Sequence, residues 1–140
     1  MVDELYMVGC VIVHENQVIG EGYHQKIGEA HAEVNAIHNV FANHHDSAIT
    51  LLKNATVYVN LEPCAHFGKT PPCADLLIKH QVQKVVIGNT DPFIGVNGKG
   101  ITNLKNAGIE VQIGILEKEC TYLNRRFFTR IQQQRPFIIL

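Results

Sequence analysis

Short β-rich runs alternate with helix-like runs along this chain, and that alternation leaves few architectures open to it. VGCVIVH and QVIGEGYH are separated only by Glu15 and Asn16, and read as an antiparallel hairpin. From His31 to about Asn43 the apolar residues Val34, Ile37, Val40 and Phe41 recur at helical spacing. ATVYVN, residues 55–60, reads as a strand buried on both faces that runs straight into the tripeptide EPC. The prolines at 71 and 72 open a helix reaching His80, KVVIG is a strand, ITNLKNAG a helix stopped by Gly108, and EVQIG another strand. Leu116 to Phe128 reads as one last helix. The expected fold class is α/β, one domain with a partly parallel sheet covered on both faces.

Composition narrows the function. The 140 residues are 46% hydrophobic and 18% charged, with no low-complexity tract, as in a compact globular domain. A net charge of −1 offers no electrostatic reason to bind a polyanion, so no nucleic-acid partner is expected. The segment MVDELYM lacks a basic n-region, and no apolar run approaches the roughly 18 residues of a membrane span. The expectation is a cytoplasmic protein without a membrane partner, in which Cys10, Cys64, Cys73 and Cys120 are thiols or metal ligands rather than disulfides. Cys10 and Cys120 lie in apolar runs and read as inert core residues.

Cys64 and Cys73 are different, because they flank the stiff loop AHFGKTPP. Thiolates select zinc among common intracellular ions, and His31, at the start of a predicted helix, supplies a third ligand type. Glu33 lies two residues on, near enough to face the same site. Histidine, glutamate, then PC and a second cysteine is the order of the zinc deaminase signature, where three protein ligands leave a fourth position for water. In that arrangement Glu33 takes a proton from the activated water and returns it to the leaving nitrogen. His66 reads as a residue lining the pocket rather than as a ligand. The cluster Arg125, Arg126, Arg130 and Arg135 reads as the complement of a helix C-terminus.

EPCAHFGKTPPC, with GEGYH before HAEVNA and DPF followed by GKGI, resembles the pyrimidine deaminase of riboflavin biosynthesis, the N-terminal half of the bifunctional deaminase-reductase. Other zinc deaminases have two residues between their cysteines, where this chain has eight. The resemblance runs from Val8 onward and implies a three-layer α/β/α, cytidine deaminase-like fold with a mixed central sheet. It implies hydrolytic deamination of 2,5-diamino-6-ribosylamino-4(3H)-pyrimidinone 5′-phosphate, with Zn2+ held by His31, Cys64 and Cys73 and with Glu33 catalytic. His24, Ala32, His66, Lys69 and Asp91 become substrate-binding positions, Lys69 as a point cation for the phosphate. Residues 1–132 would form the deaminase domain, and 133–140 the start of a connection to a reductase domain. A homodimer or larger homo-oligomer is expected.

The chain departs from the family pattern in one place. Met7 is followed at once by Val8, where the family runs through a first helix and a PNP loop, so that helix is expected to be missing and one sheet face underprotected. Two competing readings follow, a zinc-binding but inactive truncated domain and a nucleoside or tRNA base deaminase.

Overall fold

The computed structural model describes residues 7–25, 29–66, 71–92 and 97–133. Strands β1 (Gly9–His14) and β2 (Gln17–Tyr23) form the expected hairpin. Glu15 and Asn16 both have positive φ, 49° and 63°, the geometry of a two-residue turn matched to strand twist. The other strands are β3 (Thr56–Leu61), β4 (Lys84–Asn89) and β5 (Glu110–Ile113), in the sheet order β2-β1-β3-β4-β5. β1 pairs antiparallel with both neighbours, whereas β3, β4 and β5 are parallel, so the sheet is mixed. It follows that β2, β3, β4 and β5 all end on the same edge of the sheet. The residues just past them, His24, Glu62 and Asp91, are brought to that edge, where α/β sheets place their ligands.

The helices are α1 (Ala32–His44), α2 (Ala48–Lys53), α3 (Cys73–Lys79), α4 (Lys99–Asn106), α5 (Glu117–Leu123) and α6 (Arg125–Gln133). Ile37 and Val40 of α1, Leu52 of α2, Leu77 of α3 and Leu104 of α4 bury against Cys10, Ile12, Val57, Val59, Val85 and Ile87 of the sheet. On the opposite face α5 lies against β4, with Cys120 over Gly88 and the Asn89 amide donating to Thr121 Oγ1 at 2.9 Å. The architecture is three-layered, α/β/α.

Glycine sets the seating of α1. A Cβ on Gly22 would come within 2.5 Å of the Ala36 nitrogen and 2.8 Å of the Ala32 carbonyl, so only glycine lets the helix lie this close to β2. Asn39 accepts the Glu21 N–H at 3.0 Å, and Asn35 donates to the Tyr23 carbonyl at 2.9 Å. Two asparagines four residues apart thus satisfy main-chain groups of an edge strand that would otherwise invite another strand.

Four expectations change. β3 is not buried on both faces: Val57 and Val59 are buried, while Tyr58 between them is 43% exposed. The sheet has one closed face and one partly open one, with Val11 and Val13 half-buried on the open side. The short helix α2 was not anticipated, and the expected helix from 116 to 128 divides at Asn124, which has left the helical conformation (φ −105°, ψ 26°). Lys69, Arg135, the first six residues and the strand-like run RPFIIL lie outside the described residues. Among those described, no helix is long and apolar enough to cross a membrane.

Candidate metal centre

His31 is the residue before α1, in extended conformation, and its side chain makes no capping bond. The ring turns instead toward the loop after β3. Its Nδ1 lies 3.3 Å from Cys73 Sγ and 3.7 Å from Cys64 Sγ. These distances bracket the roughly 3.5 Å expected between nitrogen and sulfur ligands of one tetrahedral zinc ion. The three donor atoms lie within 4.8 Å of one another, the one such His, Cys, Asp or Glu cluster among the described residues. Donor types and spacing together fit zinc.

The local backbone favours thiolate. Cys73 is the first residue of α3, its N–H donates to Cys64 Sγ at 3.2 Å, and the Ala74 N–H donates to the Cys64 carbonyl at 3.0 Å. Cys64 itself is in the loop, beside the helix start rather than in it. Its thiol is lowered to about 4, chiefly by hydrogen bonding from Cys73 and further by His31. Cys73 is raised, first by its bond to Cys64 and then by burial.

Glu33 stands on the first turn of α1, 3% exposed. Burial pushes its carboxyl up to about 7, its own backbone hydrogen bond opposes the rise, and the Cys64 charge adds to it. A carboxyl of that strength next to the three donors can both accept and return a proton near neutrality. Burial, and secondarily Glu33, raises the Cys10 thiol, which stays neutral in the core.

The expected ligand-facing residues are placed unequally. His24 follows β2, its ring edge-on to His31 with centroids 5.4 Å apart and its Nδ1 3.3 Å from the Ala30 carbonyl. Ala32 is fully buried between His31 and Glu33. His66 is exposed, two residues past Cys64, and Asp91 is half-buried beyond β4. Lys69 lies outside the described residues.

The family model described as the cytidine and deoxycytidylate deaminase zinc-binding region matches residues 3–89. The diaminohydroxyphosphoribosylamino-pyrimidine deaminase of Buchnera aphidicola is 44% identical over 129 residues, which cover 92% of this chain and 82% of that relative. The chain belongs to this deaminase family. Another relative of the deaminase, the riboflavin biosynthesis protein RibD of Aquifex aeolicus, is 47% identical over 133 residues, covering 95% of the chain but 35% of the relative. The solved RibD of Acinetobacter baumannii, form 1, is 49% identical with a TM-score of 0.83 over 93% of the chain and 34% of that structure. The chain therefore spans about a third of the length of these RibD relatives.

One residue that the sequence reading passed over stands out in this deaminase fold. Glu62, the first letter of EPC, is 4% exposed and is not a member of the metal cluster. An acid at the buried end of an apolar strand was the available signal.

Proposed function

We propose that this chain hydrolyses the amino group of 2,5-diamino-6-ribosylamino-4(3H)-pyrimidinone 5′-phosphate, giving 5-amino-6-ribosylamino-2,4-pyrimidinedione 5′-phosphate and ammonia, in riboflavin biosynthesis. The observation that carries the reading is the convergence of His31 Nδ1 on both cysteine sulfurs, at 3.3 and 3.7 Å, beside a buried Glu33. Membership of the deaminase family supports it, and the match to the Buchnera deaminase directs it to this substrate.

His31, Cys64 and Cys73 would hold Zn2+, which when bound supplies Lewis acidity that makes hydroxide available near neutral pH. Glu33 accepts the proton that water loses on adding to the ring carbon and returns it to the amino nitrogen. The C–N bond then breaks with the nitrogen leaving as ammonia rather than as an amide anion, and the ring carbon becomes a carbonyl. His24, Ala32, His66, Lys69 and Asp91 are assigned to the substrate. Residues 1–132 are assigned to the deaminase and 133–140 to the start of a connection. The partly open sheet face around Tyr58 supports assembly into a homo-oligomer.

Ammonia release from the diaminopyrimidinone phosphate by zinc-quantified protein tests the reading, with cytidine and a tRNA anticodon stem as competing substrates. Turnover of the pyrimidine alone is expected. Stoichiometric zinc with no ammonia from any of them would make this a zinc-holding but inactive domain.

A further inference from the structure

Among the described residues, Glu62 accepts hydrogen bonds from three main-chain N–H groups, one just past β4 and two at the start of α4. Oε1 takes those of Asp91, at 3.1 Å, and Gly98, at 3.0 Å, and Oε2 takes that of Ile101, at 3.3 Å. A buried carboxylate is tolerated only when hydrogen bonds replace its water, and these three do so. They also answer a need of α4. Its N-cap, Gly98, has no side chain with which to satisfy the first N–H groups of the helix, and Glu62 supplies that capping from another strand. The next residue, Pro63, has its carbonyl packed against Gly100 of the same helix. Glu62 is held in turn by its N–H, which donates to the Asn89 carbonyl at 2.9 Å and extends the pairing of β3 with β4.

The chain after Glu62 and Pro63 is Cys64, a member of the metal cluster. One carboxylate therefore ties the main chain at Asp91 and the start of α4 to the loop that carries a metal-ligand sulfur. We propose that Glu62 is a positioning residue, which fixes the separation between the metal centre and the ligand-facing main chain at Asp91. The inference rests on the assignment of Asp91 to the substrate in the deaminase reading. Positioning of this kind acts on substrate capture, because the groups that Glu62 accepts from are at Asp91, Gly98 and Ile101, and none of His31, Glu33, Cys64 and Cys73 is among them.

Glu62→Gln tests it in the full, zinc-loaded chain. Glutamine keeps the shape but turns an NH2 toward donors, so at least one of the three bonds is lost. The expected result is a KM for the diaminopyrimidinone phosphate raised by about 10-fold or more with kcat changed by less than about 3-fold, zinc still stoichiometric, and faster hydrogen exchange at the Asp91 and Gly98 amides. A variant that loses zinc and kcat together at unchanged KM would reduce Glu62 to a structural residue and overturn the proposal. Should the variant not fold, the unaltered chain decides. Asp91 and Gly98 lie outside helix and strand, yet their amides must exchange about 100-fold or more slowly than those of an exposed turn such as Glu15 and Asn16. Fast exchange at both amides overturns the clamp even if ammonia is released. Slow exchange without ammonia release overturns the deaminase reading instead, and with it the role of Asp91.

Discussion

Gly100 rests against the carbonyl of Pro63 so closely that a Cβ at position 100 would overlap the oxygen. Both sides of this contact are main chain, so neither can move aside by a change of rotamer. Gly100→Ala is expected to destabilise the fold by about 1–3 kcal/mol as an overpacked site. Pro63 precedes Cys64, so the displacement also reaches the metal loop and zinc should be held more weakly. Thermal melts and competition with a chelator measure the two effects. An unchanged melting temperature together with unchanged zinc affinity would mean that α4 can slide along the loop without consequence.

Asn124 is fully buried and holds both main-chain groups of Met7, accepting its N–H and donating to its carbonyl at 2.9 Å. Asn60 holds the same stretch from the sheet, donating to the Met7 carbonyl at 2.7 Å and accepting the Gly9 N–H at 2.7 Å. Removing the Asn124 amide takes the acceptor from the Met7 N–H and empties a fully buried side-chain site. Asn124→Ala should cost about 1–3 kcal/mol in denaturant unfolding, and Asn124→Asp, which adds a buried charge, should cost more. Equal stability of wild type and both variants would show that water replaces the amide.

The same residue shows why part of the fold was hidden in the sequence. Apolar spacing from Leu116 to Phe128 is continuous, but the helix breaks at Asn124 because its side chain turns inward to a residue 117 positions away. No local pattern carries that contact. The hairpin was legible because two β-rich runs stand only two residues, Glu15 and Asn16, apart, and the metal cluster because ligand type and order can be read from the chain itself. α2 escaped notice because its six residues bury only Ala48 and Leu52 and carry no side-chain cap. The open face of β3 escaped because Val57, Tyr58 and Val59 are all β-formers, so the run could not reveal which side lacked a cover. Glu62 needed Asp91, Gly98 and Ile101 folded back on it before its role could be seen.

The cysteine at 73 contributes to the cluster in two ways, through its sulfur 3.3 Å from His31 Nδ1 and through its N–H to Cys64. Cys73→Ser keeps the N–H but replaces a soft sulfur by a hydroxyl that ionises far less readily. Zinc per chain after gel filtration should fall from about one to near zero, and the melting temperature should no longer respond to added zinc. Retention of stoichiometric zinc would remove Cys73 from the ligand set.

Substitution of Glu33 is expected to separate metal binding from chemistry. Glu33 is nearly as buried as Cys73, at 3% against 2% exposure, yet it lies outside the set of converging donors, which is His31, Cys64 and Cys73 alone among the described residues. Its carboxyl, raised to about 7, suits a group that must be a base at one moment and an acid at the next. Glu33→Gln preserves shape and burial and removes only the capacity to carry the proton. Zinc content and melting temperature should therefore hold while ammonia release falls by about 100- to 10,000-fold. Glu33→Ala should give the same loss of activity with zinc still bound, which excludes a lingering contribution from the glutamine amide. Near-normal turnover in either variant would assign the proton transfer to another group, and loss of zinc in both would make Glu33 part of the metal centre itself.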